Sequence, residues 1–162
     1  MSAQPPLLIA WHSRTGASRQ MAEAAADGAG DRCRLMYCAD VHPDELLTAQ
    51  GYLFVCPENL ATMSGLMKEM FDRCYYPVLG RIEGRPYATI IAAGSDGEGA
   101  QRQIDRIAKG WRLKRVADPL IINMAAQTPE QILADKTVGK EHLSGCREMG
   151  EGLAEGIAAG IF

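Results

Sequence analysis

Apolar residues follow two alternating patterns along this chain: short unbroken runs, and longer stretches where they recur every three or four positions. Leu7 to Trp11, Tyr52 to Cys56 and Tyr87 to Ala93 are continuous runs, the pattern of parallel strands covered on both faces. Cys33 to Cys38 is more mixed and reads as an edge strand. A fifth candidate runs from about Leu113 to Asn123. Pro119 interrupts it and has no N–H to give a ladder, which also suits an edge. Helical stripes fill the gaps. Met63, Leu66, Met67, Met70, Phe71 and Cys74 share one face, as do Ala100, Ile104, Ile107, Ala108 and Trp111. Leu143, Cys146, Gly150, Leu153, Ile157 and Ile161 mark a C-terminal helix, and an Ala-rich stretch from about Gly16 to Ala29 predicts the first. Residues 124–140 are the least regular, with Thr128-Pro129-Glu130 starting a short helix to about Ala134.

Five strands alternating with helices predict a doubly wound parallel sheet in one domain over residues 1–162. The order 2-1-3-4-5 places the mixed second strand and the proline-containing fifth at the edges. Composition agrees: 162 residues, 47% of them hydrophobic, suffice for one full core. A net charge of −3 excludes a basic nucleic-acid footprint and is too mild for an acidic electron carrier. No apolar run is long enough to span a bilayer. The opening Met1-Ser2-Ala3-Gln4-Pro5-Pro6 lacks the charged start of a signal peptide, so a cytoplasmic protein is expected. Five cysteines, an odd number without a Cys-x-x-Cys pair, read as small apolar residues in a reducing compartment, and no metal site is expected.

In that sheet order, ligands bind at the carboxyl ends of the strands, beside the switch between the first and third. Three loops converge there. Ser13-Arg14-Thr15-Gly16-Ala17-Ser18 offers three hydroxyls and the amides of a helix N-terminus, which suit a phosphate monoester. The loop has no lysine, so neutral dipoles are expected to carry the anion, with Arg14 or Arg19 at the rim. Pro57 to Gly65 follows the third strand and Gly94-Ser95-Asp96-Gly97-Glu98-Gly99 the fourth. Other candidates have plainer readings. His12 is expected to bond to backbone at its strand end, with contact to a phosphate or ring as the alternative. Asp96 is placed to cap the next helix. His42 and His142 read as surface residues. Arg73, Arg81 and Arg85 read as a solvated face, or as ligands of a dinucleotide phosphate. Neither a catalytic triad nor a carboxylate pair with a partner base is visible. A phosphoryl receiver wants acidic residues where His12 and Cys56-Pro57 stand, and a P-loop wants a lysine that Thr15-Gly16-Ala17-Ser18 lacks.

The first loop resembles the Ser/Thr-x-Thr-Gly-x-Ser/Thr phosphate site of the flavodoxin-like superfamily. Met63-Ser64-Gly65-Leu66-Met67-Lys68, running on to Phe71-Asp72-Arg73, is similar to the Met-Ser-Gly-x-Met-Lys/Arg segment of NAD(P)H-dependent FMN reductases and quinone oxidoreductases of the tryptophan-repressor-binding-protein type. The resemblance covers nearly the whole chain and implies a flavodoxin-like three-layer α/β/α sandwich with a five-stranded sheet. It implies FMN, its phosphate held by Ser13, Thr15, Gly16, Ala17 and Ser18. The ring then lies against Pro57, Glu58, Asn59, Leu60 and Ala61, with Gly94, Ser95, Gly97 and Gly99 closing over its other edge. Two departures stand out. Leu60 replaces an aromatic common in relatives. Glu58 replaces a small polar residue, and either lowers the flavin potential from the pyrimidine end or points into solvent. Both predict a weaker hold on FMN.

The resemblance implies an oxidoreductase with NAD(P)H as co-substrate and a quinone, free flavin or similar small molecule as acceptor. The flavin N5 is then the reactive centre, and no catalytic side chain is required. The alternative is a flavodoxin-type electron carrier without NAD(P)H activity. Pairing into dimers or tetramers is also implied, with 124–140 and the rim near Tyr75-Tyr76-Pro77 as the contact regions. Partners in nucleic acid or membrane are not expected.

Overall fold

The strand β1 (Leu7–Trp11) fixes the layering, because its side chains alternate between two cores. Leu8 and Ala10 enter one hydrophobic cluster, Leu7 and Ile9 the other. The structure, a computed structural model, describes residues 4–162; Met1 to Ala3, part of the N-terminal segment read above, lie outside the described residues. The chain continues through α1 (Ala17–Ala29), β2 (Cys33–Tyr37), α2 (Pro43–Thr48), β3 (Gly51–Asn59), β4 (Thr62–Met63) and α3 (Gly65–Val78). β5 (Pro86–Ala93), α4 (Glu98–Gly110), β6 (Lys114–Arg115), β7 (Leu120–Asn123), α5 (Pro129–Leu133) and α6 (Lys140–Ala158) complete it.

β1 pairs in parallel with β2 on one side and β3 on the other, and β3 pairs in parallel with β5. That is the expected order, with two amendments. The fifth strand is split: β6 pairs with Pro86 and Tyr87, and β7 with Ile90 to Ala93. Residues 116–119 bulge out opposite Ala88 and Thr89, where Pro119 has no amide to offer. The third strand is longer than its apolar run and folds back as a short antiparallel hairpin, Glu58 facing Met63. α2, α3 and α4 cover the face carrying Leu8, Tyr52, Phe54 and Ile91, while α1 and α6 cover Leu7, Ile9, Leu53 and Ile90.

The helical stripes are buried or half-buried with two exceptions: Leu66 is exposed on α3, and Ile161 lies exposed beyond the end of α6. Met63, expected on the α3 stripe, is buried but belongs to β4. α1 and α6 meet through glycine. A Cβ on Gly28 would overlap the Arg147 carbonyl, and one on Gly150 the Ala25 carbonyl. Backbone contact this close places α1 rigidly against the sheet, so its first turn is held at the carboxyl end of β1.

Candidate functional site

The chain leaves β1 through a turn that delivers α1 with its amides unpaired. Gly16 is the N-cap, in the left-handed region at φ 98°, and its own N–H donates to Ser13 Oγ at 3.0 Å. The side chain of Ser18 is 1% exposed. Its Oγ is the one buried side-chain polar atom without a hydrogen-bond partner among the described residues. A hydroxyl without a partner in the first turn of a helix, where the dipole is positive, is chemically suited to an anion.

The second wall is the β3–β4 hairpin. Its turn residues, Leu60 and Ala61, both have left-handed φ, 53° and 68°, although neither is glycine. Leu60 is 99% exposed at the tip. α4 holds the hairpin from behind. Glu58 Oε1 accepts the Gly97 N–H at 2.8 Å and Oε2 the Ala100 N–H at 3.0 Å, while Gln103 Oε1 accepts the Met63 N–H at 2.8 Å. The carboxylate of Glu58 is thus spent on the positive end of α4, rather than being free in solvent. Asp96, expected as that helix's cap, does not serve: the N-cap is Gly97, without a side-chain cap bond of its own.

The third wall combines the loop after β5 with residues 123–138. Asn123 Nδ2 donates to the Ser95 carbonyl and Gln127 Nε2 to the Gly94 carbonyl, each at 3.0 Å. A Cβ on Gly94 would stand 2.8 Å from the Ala126 carbonyl oxygen, so this strap crosses directly over the glycine. Thr128 caps α5 as its sequence foretells, with its Oγ1 accepting the Gln131 N–H. The strap then returns to the first loop. The Lys136 N–H donates to the Thr15 carbonyl at 2.8 Å. Gln20 of α1 clamps it, donating to the Lys136 carbonyl at 2.7 Å and accepting the Val138 N–H at 2.9 Å.

These walls enclose a cleft of about 600 Å³. Of the residues named from sequence, Ser13, Thr15, Ala17, Ser18, Pro57, Glu58, Asn59, Leu60, Ala61, Gly94 and Ser95 line it. Gly16 shapes the turn, and Gly97 and Gly99 stand behind the hairpin, where a Cβ on Gly99 would overlap the Ala61 carbonyl. Met124, Ala126, Ile132, Leu133 and Lys136 also line the cleft. Sequence reasoning missed these because nothing local distinguishes a lysine that reaches Thr15 from 121 positions away. Of the two arginines expected at the rim, Arg14 lines the cleft, whereas Arg19 pairs with Glu23 at 2.9 Å; Lys136 adds a cation that the loop itself lacks.

The remaining candidates are structural. His12 is buried, and its Nδ1 shares a 2.7 Å hydrogen bond with the Ser64 hydroxyl rather than with backbone. Burial, reinforced by Arg14, lowers its pKa from 6.5 and favours the neutral ring. Arg85 donates to the carbonyls of Leu46, Leu47 and Ala49, and Arg73 to those of Cys38 and Val41. Neither is the solvated or phosphate-binding group the sequence suggested. Burial pushes the Cys56 thiol to about 12 and those of Cys38 and Cys146 to about 11, so these stay protonated and unreactive. Tyr75 and Tyr76 are not part of the cleft lining, whereas the 124–140 segment borders it.

Comparison with known proteins agrees with this architecture. The family model described as NADPH-dependent FMN reductase matches residues 42–127. A flavodoxin from Aquifex aeolicus is 26% identical over 161 residues, covering 94% of this chain and 86% of that protein. Among solved structures, a flavodoxin from the domain Archaea superposes with a TM-score of 0.77 at 19% identity, over 94% of this chain and 98% of the other. A WrbA-like flavodoxin from Agrobacterium tumefaciens gives 0.76 at 16% identity, over 94% and 97%.

Proposed function

Since the chain belongs to the NADPH-dependent FMN reductase family of flavodoxin-like flavoproteins, we propose that it carries electrons from NAD(P)H to a quinone, free flavin or similar acceptor through FMN in the cleft. The Ser18 hydroxyl carries this reading: a buried donor without a partner, at the N-terminus of α1, fits a phosphate oxygen. Ser13, Thr15 and the amides of Ala17 and Ser18 form the phosphate cradle, on the turn that Gly16 shapes. Pro57 to Ala61 and Gly94-Ser95 flank the ring, with the aliphatic Leu60 and Leu133 at the mouth. Bound FMN supplies the redox centre, so the protein's part is to bind, orient and exclude water. No side chain here is asked to move a proton, consistent with thiols held protonated and a His12 tied to Ser64. Exposed Leu60, Ile132 and Leu133 support pairing of subunits over the cleft.

Similarity to the Aquifex flavodoxin favours a second reading, a carrier without NAD(P)H activity. Steady-state NAD(P)H consumption by the FMN-loaded protein with a quinone separates the two. Turnover that depends on the protein supports the reductase. A protein that retains FMN yet leaves NAD(P)H unconsumed is a carrier, and one that never retains FMN is neither.

A further inference from the structure

We propose that Lys136 is a specificity-determining residue that makes the cleft selective for a phosphorylated flavin over riboflavin, with its charge delivered by the 123–138 strap. This rests on the flavin reading above. Lys136 is half-buried, and its ammonium is surrounded by neutral oxygens only: the carbonyls of Ile132 and Ala134, and Thr15 Oγ1 at 3.5 Å. No carboxylate lies within ion-pair distance of it among the described residues. Its charge is therefore partly desolvated and uncompensated, an arrangement that favours an incoming anion. The backbone that carries this side chain to the cleft is fixed at three points. The Lys136 N–H donates to the Thr15 carbonyl at 2.8 Å, its carbonyl accepts from Gln20, and Val138 N–H is held by the other end of the same Gln20 amide. Ser18, 1% exposed and with its hydroxyl unpartnered, lines the same cleft as Thr15. A phosphate dianion answers both deficits, giving Ser18 an acceptor and Lys136 a counter-charge.

The test is equilibrium dialysis of FMN and of riboflavin against the full chain, as wild type, Lys136→Met and Lys136→Arg. Lys136→Met is expected to weaken FMN binding about ten- to hundredfold, the range for losing a charge-assisted hydrogen bond. Riboflavin binding should stay within about twofold, and Lys136→Arg should restore most of the FMN affinity. Raising salt should weaken FMN binding in wild type more than in Lys136→Met. Unchanged FMN affinity in Lys136→Met overturns the inference while leaving the flavin reading intact. An equal loss of FMN and riboflavin overturns it too, marking Lys136 as a scaffold for the strap. Wild-type protein that binds neither flavin overturns the flavin reading itself, and this inference with it.

Discussion

Glu58 grips Gly97: the carboxylate at the end of β3 accepts that amide at 2.8 Å and, through its other oxygen, the Ala100 N–H. One side chain thereby caps α4 and fastens the hairpin that walls the cleft. Helix and hairpin should loosen together when it is lost. Glu58→Ala is expected to lower stability by about 1–2 kcal/mol, the range for an N-cap, and Glu58→Gln by less, since one acceptor oxygen remains. Urea denaturation reads this directly. An unchanged midpoint in Glu58→Ala would mean the contact does not hold α4.

The turn that Glu58 fastens is strained. Leu60 and Ala61 both sit in the left-handed region, at φ 53° and 68°, where a Cβ meets the following carbonyl. Replacing the pair with Asn-Gly, which this two-residue hairpin turn prefers, should raise stability by about 1–2 kcal/mol. The denaturation midpoint should rise with an unaltered slope. A fall would show that Leu60 packs against something and is not the exposed tip described. Strain retained at a cleft wall is common where a ligand meets the backbone, so the same variant is a sensitive probe of FMN affinity.

The sheet order was legible because unbroken runs such as Leu7 to Trp11 leave strands no exposed face, and the convergence of the three loops follows from that order. The helix start at Thr128 was legible because a capping residue followed by proline is local chemistry. What escaped was every feature made by distant partners. Nothing around Glu58 in sequence announces that its acceptors' donors lie at Gly97 and Ala100. The split of the last strand follows from Pro119, but the hairpin does not, since Leu60-Ala61 is the opposite of a turn signature. Lys136 is hidden in the least regular segment, and only Gln20 reaching across from α1 brings it to the cradle.

Two glycines on α6 give opposite expectations. A Cβ on Gly150 would overlap the Ala25 carbonyl, whereas one on Gly152 would meet nothing within 4 Å. Gly152→Ala should therefore stabilise by up to about 1 kcal/mol through helix propensity alone. Gly150→Ala gains the same propensity but must push α1 and α6 apart, with a net loss of about 1–3 kcal/mol from overpacking. Thermal melts of the two variants should shift in opposite directions. Shifts of one sign would show that the helices do not touch through backbone.

His12 supplies a pH dependence with a definite sign. Buried against Ser64 and near Arg14, it holds a folded pKa below the 6.5 of the free side chain. As pH falls through 6.5, the unfolded chain takes up a proton that the folded chain resists, so stability declines. The decline continues down to the folded pKa and then levels off, with a slope of at most about 1.4 kcal/mol per pH unit from this one group. Above 6.5 both states carry a neutral ring, and His12 adds no slope. His12→Gln keeps a polar group for Ser64 but cannot titrate. It should remove this component of the acid-side slope in urea denaturation measured between pH 5 and pH 7, with the deficit relative to wild type shrinking as the pH is lowered. Parallel stability curves for the two proteins over that range would show that the His12 ring ionises as readily in the folded chain as in the unfolded one.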